Sequence, residues 1–278
     1  MRAELKQHGR LVCVGVGMTM GAHISERTRD AIEKADVVFV LVSDGIVEQW
    51  VEAMNDDVRS LQPYYQLNKS RRNTYREMIA AMVDEVAKGH SVCGVFYGHP
   101  GVFAYVPHEA IRQAKAAGYP AKMEAGVSAE DCLYADLGID PGRFGCQHYE
   151  ASQFMFYKRQ IDPSAYLILW QIGIAGDRSL ALRSTSQAYR QILLDLLSEH
   201  YPMDHEVIVY ETNTLPITQP RMDAMSLQAL LKAELTLEST LVIPPSQKMT
   251  TNEAVMTQIH RLQKQSDSDG INSTEEAT

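Results

Sequence analysis

Residues Val37–Val42 read VVFVLV, six apolar residues without a break. A strand with one wet face alternates in polarity. A uniform apolar run is buried on both faces, as in parallel sheets covered by helices on each side. The flanking segments fit that reading. Arg10–Gly17 (RLVCVGVG) is a second short apolar run, ending in glycine, and Ser25 predicts the cap of a helix through about Lys34. Ile46–Met54 reads as a short helix and Val58–Leu61 as a weak strand. Arg71–Lys88 predicts a strong amphipathic helix, because Tyr75, Met78, Ile79, Met82, Val83 and Val86 follow three/four spacing and Gly89 ends it. Ser91–Tyr97 is the next strand. Pro107 sits in the first turn of a helix that stops at Gly118. Ala121–Glu124 is a strand, and Ser128-x-x-Asp131 resembles a capping box before Cys132–Leu137. Strands and helices thus alternate through residue 137, which predicts βαβ units and a mostly parallel sheet.

After Asp162-Pro163 the pattern restarts. Tyr166–Ile172 reads as a strand, Leu180–His200 as a long helix, and Glu206–Glu211 and Thr240–Ile243 as strands. Loops as well as helices separate these strands, so this half is expected to be α+β with some antiparallel pairing. The division between the halves is expected near Tyr149–Ile161. No internal repeat is present, and residues beyond about Lys264 are polar and poor in aromatics, hence expected to be disordered.

Composition narrows the class. Of 278 residues, 45% are hydrophobic and 22% charged, which excludes collagen-like, mucin-like and wholly disordered chains. Net charge is -9, and a general nucleic-acid binder needs a basic face instead. Asp267, Asp269, Glu275 and Glu276 lie on the expected tail, so the folded body is less acidic than the total. No apolar run approaches the roughly 18 residues of a membrane span. MRAELKQHGR lacks the apolar core of a signal peptide. Cys13, Cys93, Cys132 and Cys146 show no C-x-x-C spacing and read as free thiols in a reducing compartment. Together these features predict a cytoplasmic protein.

Several residues call for a chemical reading. Gly15-x-Gly17 follows the first strand, but GVGMTMG does not fit G-x-G-x-x-G; it is a ligand-facing loop or simple turn geometry. Tyr97-Gly98-His99-Pro100-Gly101-Val102-Phe103 follows another strand, where open α/β sheets bind ligands. It reads as a small-molecule loop or as a rigid turn around a satisfied histidine. No second ligand at metal spacing accompanies His99, so no metal is expected. Arg71 and Tyr75 lie at i, i+4 on one helix face, close after Tyr64 and Tyr65. A guanidinium beside a phenol favours the phenolate, which makes a base. A solvated arginine beside a core-edge tyrosine is the other reading. Gln171 interrupts the apolar run LILWQIGI, and Ser239-Thr240 enters LVIPP. A buried amide or hydroxyl there needs a partner, from neighbouring backbone or from a ligand.

Five stretches together carry a resemblance: YGHPGVF (97–103), EAGVSAEDCLYADLGIDPG (124–142), ASQFMFY (151–157), LWQIGIAG (169–176) and VIVYE (207–211). From about Gly9 to Pro245 the chain resembles the tetrapyrrole methylase superfamily, and more narrowly the borosin-type peptide backbone α-N-methyltransferases. Tetrapyrrole C-methyltransferases usually carry Gly-Asp-Pro where this chain has Gly98-His99-Pro100, and a fuller Gly-Pro-Gly-Asp loop where it has GMTMGAH. Both departures favour the peptide group.

The resemblance implies a two-lobed α/β fold. Residues 1–155 would form an N-terminal, mostly parallel lobe with the catalytic loops. Residues 156–264 would form an α+β lobe completing the cofactor cleft, and 265–278 a disordered acidic tail. It implies S-adenosyl-L-methionine as cofactor and S-adenosyl-L-homocysteine as product. The family's catalytic set falls on Tyr65, Arg71, Tyr75 and Tyr97. Its cofactor contacts fall on Tyr97, His99, Val102, Ala129, Gln171, Ser239 and Thr240. Thr212 stands where the family often has Ala, so that contact is expected through the backbone mainly. Either Tyr65 or Tyr75 would be the base. Fused relatives carry their own substrate peptide; QSDSDGINSTEEAT holds no apolar stretch, which resembles the split type acting on a separate precursor. A homodimer, and a heterotetramer with the precursor, are expected on the same ground. Two alternatives stand beside this reading: a C-methyltransferase of a tetrapyrrole or related metabolite, and a cofactor-binding protein that captures a peptide without chemistry.

Overall fold

The computed structural model describes the backbone of residues 9–66, 69–178 and 184–275, with side chains through 265. The first half is β1 (Arg10–Gly15), α1 (Glu26–Glu33), β2 (Val37–Leu41), α2 (Gly45–Glu52), β3 (Val58–Ser60), α3 (Arg71–Ala87), β4 (Ser91–Phe96), α4 (Val106–Ala116), β5 (Ala121–Met123), α5 (Ala129–Leu137) and α6 (Pro141–Phe144). The second is β6 (Cys146–Glu150), α7 (Ala151–Phe156), β7 (Tyr166–Trp170), α8 (Gln187–Ser198), β8 (Glu206–Glu211), β9 (Arg221–Ser226), β10 (Thr240–Ile243) and α9 (Glu253–Glu275).

All five residues of β2 are buried, as the unbroken apolar run requires. The first sheet has the order β3-β2-β4-β1-β5 and every pairing in it is parallel. Phe39, Leu41, Leu11 and Phe96 face one side, where they pack with Met78, Met82 and Val86 of α3 and Ala110 of α4. Val38, Val40, Val14 and Val95 face the other, against Ile32 of α1 and Val47 and Val51 of α2. Helix starts follow their caps: Ser25, Asp44, Ser70 and Ser128 each accept a first-turn N–H, and Ser128 with Asp131 forms the expected reciprocal box. The chain leaves β1 toward β2 and leaves β4 toward β5, in opposite directions from adjacent central strands. Such a reversal opens a crevice at the strands' carboxyl ends.

The second sheet has the order β6-β7-β10-β8-β9, antiparallel except for β6 with β7. One face packs on Leu193, Leu194 and Leu197 of α8. The other packs Ile168, Trp170, Tyr210 and Val242 against Leu133 of α5. This two-sheet α/β architecture agrees with the expected two-lobed fold. The second sheet takes its first strand from Cys146–Glu150, ahead of the expected division at residue 155.

Three expectations need correction. The helix foreseen from Leu180 begins at Gln187. Thr185 donates its N–H to the Gly173 carbonyl at 2.8 Å and its Oγ1 to that of Ala175 at 3.1 Å, which holds Ser184–Ser186 extended. Residues 179–183 of that expected helix lie outside the described ones. The strand foreseen to Ile172 stops at Trp170, because Gln171 turns left-handed with φ +58°. Residues 265–275, expected without structure, continue α9.

Gly15, at the end of β1, has no room for a side chain: a Cβ there would lie 2.1 Å from the Gly98 carbonyl oxygen. Gly15→Ala is therefore expected to lower stability by about 3 kcal/mol, the upper range of overpacking. Gly45, open on all sides, is the control; Gly45→Ala should change it by less than about 1 kcal/mol. Urea denaturation of both variants distinguishes the two.

Candidate active site

Three loops meet backbone to backbone where β1, β4 and β5 end. Gly17 and Gly98 exchange backbone hydrogen bonds at 2.9 and 3.2 Å. A Cβ on Gly126 would sit 2.4 Å from the Gly98 oxygen and 3.0 Å from the Gly15 Cα. Gly98 itself turns left-handed, with φ +62°. The turn after β4 is then fixed from inside. His99 Nδ1 accepts from Gly101 N at 2.9 Å, Val102 N donates to the His99 carbonyl at 3.2 Å, and His108 Nε2 holds the Gly101 carbonyl at 2.9 Å. His99 is thus a satisfied turn histidine on its Nδ1 side, with Nε2 left for a further contact. Phe103 closes the loop in a left-handed conformation, φ +49°, with its ring 53% exposed.

Beside this floor stand the phenols. Tyr65 and Tyr75 meet edge to face with centroids 6.5 Å apart, and Tyr75 meets Tyr105 at 5.9 Å. The Tyr64 carbonyl accepts from Thr74 Oγ1 at 3.2 Å and Lys69 Nζ at 3.3 Å, which ties the Tyr64-Tyr65 turn to α3. Arg71 opens α3, and its buried Nε has no hydrogen-bond partner among the described residues. An unsatisfied buried donor is costly, so it marks where a further acceptor belongs. Burial, and then Tyr75, push the Tyr65 phenol above its ordinary range, while Arg71 pulls the other way. Tyr97 is raised too, by desolvation first and then by Glu238 and Tyr75, again against Arg71. For Tyr65 this runs against the expectation that Arg71 lowers a phenol toward neutral pH, while a protonated Tyr97 is the donor the resemblance implied. At Tyr65, and at the half-exposed Tyr97, desolvation outweighs the guanidinium and favours the protonated phenol.

The second sheet supplies the opposite wall. Gln171 presents a half-buried amide with no side-chain hydrogen bond among the described residues. Thr212 Oγ1 is buried beside the Cys132 thiol and the Tyr210 phenol. Ser239 and Thr240 are buried at the start of β10. Ser239 is already engaged: its Oγ donates to Glu211 Oε1 and accepts from Thr236 N at 2.8 Å, and its carbonyl accepts from Ile172 N at 2.9 Å. Ala129 begins α5, directly after the capping box. Across the lobes, Phe103 meets the Trp170 ring at 5.5 Å, and Thr19 Oγ1 and Met20 N donate to the Asn213 and Thr214 carbonyls. The expected residues therefore divide between two walls joined by direct contacts: Tyr65, Arg71, Tyr75, Tyr97, His99 and Val102 on one, Gln171, Thr212, Ser239 and Thr240 on the other.

Sequence reasoning missed Glu211 and Arg221. Glu211 Oε1 gathers Ser239 Oγ, Thr236 Oγ1 and Arg221 Nη1, the last two at 3.0 Å, and Arg221 Nη2 holds the Glu234 carbonyl at 2.9 Å. The signal was an acid closing the apolar run VIVY. An open acidic depression of about 400 Å³ lined by Glu33, Asp36, Glu52 and Asp57 lies elsewhere. It sits at the amino ends of β2 and β3, the wrong end for a ligand crevice.

The sequence profile of the tetrapyrrole (corrin/porphyrin) methylases matches residues 10–221. The chain is 38% identical over 261 residues, 92% of its length, to a methyltransferase/ribosomally synthesized cyclic peptide gymnopeptides precursor of Gymnopus fusipes. It is 37% identical over 258 residues, 91% of its length, to the omphalotin A counterpart of Omphalotus olearius. It spans 62% of the length of each of these relatives. Among solved structures it is similar to cobalt precorrin-4 methyltransferase, with TM-score 0.61 at 15% identity, over 86% of this chain and 96% of that one. It is also similar to uroporphyrin-III-C-methyltransferase from Thermus thermophilus, with TM-score 0.59 at 19% identity, over 86% and 93%. At these identities the structural likeness is one of fold.

Glu211→Ala leaves Ser239 Oγ and one arm of Arg221 without an acceptor. Loss of about 2–3 kcal/mol of stability is expected, below the cost of breaking a fully buried pair, because the carboxylate keeps 18% exposure. Chemical denaturation measures it, and Glu211→Gln should recover part of the loss.

Proposed function

Because this chain belongs to the tetrapyrrole methylase family, we propose that it is an S-adenosyl-L-methionine-dependent methyltransferase acting on backbone amide nitrogens of a separate precursor peptide. The observation that carries this reading is the identity of 37–38% to proteins named as methyltransferase and cyclic-peptide precursor. The phenol and guanidinium cluster supplies suitable chemistry, and Gly98-His99-Pro100 departs from the tetrapyrrole pattern.

The residues present fit the cofactor. The half-buried Gln171 amide offers a polar contact, the buried Arg71 Nε has no acceptor among the described residues, and the glycine floor leaves backbone open to close approach. Tyr97, His99, Val102, Ala129, Gln171, Thr212, Ser239 and Thr240 would hold it, Ser239 through its backbone, since its hydroxyl is taken by Glu211. When bound, it supplies an electrophilic sulfonium methyl and leaves as S-adenosyl-L-homocysteine. A peptide nitrogen is a poor nucleophile because its lone pair is shared with the carbonyl. Its N–H proton must leave, and the charge that develops on the carbonyl oxygen must be stabilised. Tyr97, raised and protonated, is suited to donate to that oxygen. Tyr65 or Tyr75, as its phenolate, would take the proton and become a phenol, and Arg71 would stabilise that phenolate before the transfer.

The peptide must be enclosed, and a second copy of the chain would help enclose it. Val255, Met256, Ile259 and Leu262 form an exposed apolar stripe on α9, the type of face a homodimer covers. A heterotetramer with the precursor then follows from one precursor per subunit. Four free cysteines, three of them buried, suit the cytoplasm. No helix among the described residues is long and apolar enough to cross a membrane.

Incubation with cofactor and a separate precursor peptide should add methyl groups to backbone amides, read by tandem mass spectrometry. An unmodified peptide with a methylated tetrapyrrole would overturn the reading. Arg71→Ala should slow methyl transfer by ~10²–10⁴ without weakening cofactor affinity, and Arg71→Lys should recover it in part. Because the Tyr65 and Tyr97 phenols are raised rather than lowered, the phenolate fraction is small at neutral pH. Should Tyr65 be the base, the rate should climb with pH beyond neutrality by about tenfold per unit, with no plateau below the ordinary tyrosine range. In sedimentation, Ile259→Asp should convert a dimer to monomer while leaving the fold intact.

A further inference from the structure

Outside the phenol cluster, one side-chain chain has a fixed hydrogen-bond direction. Trp170 Nε1 is a donor only, and it donates to His148 Nδ1 at 3.1 Å. Nδ1 is therefore an acceptor, and the imidazole proton sits on Nε2. Nε2 lies 2.7 Å from Tyr134 Oη, which accepts it and donates its own proton to Glu130 Oε1 at 3.1 Å. The imidazole and the Trp170 ring lie edge to edge and nearly parallel, with centroids 6.0 Å apart and planes 18° apart. The same indole meets the loop after β4, through Phe103 at 5.5 Å. Phe103 and Gln171, which follows Trp170, are the two non-glycine residues with left-handed backbone among those described. Both lie within one residue of this contact, and strained conformations persist only where their surroundings hold them.

We propose that His148 is a positioning residue for the cofactor cleft: by fixing the Trp170 indole against Phe103, it latches the 97–103 loop of the first lobe to the second sheet. The proposal rests on the cleft assignment made above. Protonation of Nδ1 turns the acceptor into a donor facing the indole N–H, so the latch opens when His148 becomes charged. Burial holds the imidazole below its ordinary value. The charged group facing it is Glu130 on α5, 3.6 Å from Nε2, which opposes that effect. Tyr134 on α5, Trp170 on β7 and Cys146 on β6 are neutral neighbours, and Asp136 on α5 is tied to Tyr210. A lowered histidine is neutral, and the latch closed, above about pH 6.5; the closed state is lost as pH falls through the lowered value.

The chain has two tryptophans, so Trp50→Phe leaves Trp170 as the sole indole reporter. In that background, Trp170 emission should fall as pH drops from about 8 to about 5, since imidazolium quenches an adjacent indole. His148→Asn keeps an acceptor near the Nδ1 position and cannot titrate, so its emission should stay flat. His148→Leu should shift emission at all pH values. Cofactor affinity by calorimetry should weaken about tenfold at low pH in the Trp50→Phe protein, by roughly one hydrogen bond, and stay constant in His148→Asn. A merely structural histidine would lower stability in both variants without this difference in pH dependence. Emission that titrates unchanged in His148→Asn, or affinity that falls equally with pH in both proteins, would overturn the latch. Absence of cofactor binding at every pH would remove the cleft assignment instead, while the emission titration still decides the ring contact.

Discussion

The arrangement depends on a contact between backbones with no side chains between them. Gly15, Gly98 and Gly126 bring the ends of β1, β4 and β5 within van der Waals reach, and a methyl on Gly15 or Gly126 would enter the Gly98 carbonyl. The contact lies where the chain leaves adjacent central strands in opposite directions, so the topology opens a crevice and the glycines set its floor. Tyr97 precedes Gly98 and His99 follows it. Their positions are consequences of that contact, because the left-handed turn at Gly98 decides which way the loop leaves the sheet.

The first lobe was legible because its signals are local. VVFVLV can be satisfied only by burial on both faces, and Ser25, Ser70 and Ser128 announce helix starts through a single side-chain bond each. The second lobe was less so. Cys146–Glu150 reads CQHYE, half-buried along its length at the sheet edge, and carries neither alternation nor an apolar run. Arg221–Ser226 is polar and exposed, and becomes a strand through its pairing with β8. The apolar spacing before Gln187 suggested more helix, but the hydrogen bonds of Thr185 to Gly173 and Ala175 are long-range and leave no local trace. Gln171 turns left-handed against all expectation for a residue in an apolar run. It does so where the Ile172 N–H reaches across to Ser239.

Around the crevice, the gathering of the phenols was legible and their electrostatics were not. Spacing places Arg71 and Tyr75 on one helix face, and the phenols do gather there. Sequence cannot give the depth at which a hydroxyl sits. For Tyr65 and Tyr97 desolvation exceeds the pull of Arg71, so the cluster is a set of proton donors first. Ser239 shows the same limit: its hydroxyl, foreseen as a ligand contact, is committed to Glu211, an acid that also gathers Thr236 and Arg221.

The amide methylation proposed above would demand that water stay out while a weak nucleophile is held in register, and the residues suited to it divide between the two lobes. The first lobe carries the phenols and the glycine floor; the second carries the amide, the buried hydroxyl and the indole. Around the crevice they are joined by the ring contact between Phe103 and Trp170 and by hydrogen bonds from Thr19 and Met20 to the chain after β8, and behind it α5 packs on the second sheet through Leu133. Both residues held in strained backbone stand at or beside that ring contact. The cores on either side of the crevice, and the α5 packing that joins them, supply the rigidity that holds the two walls in place.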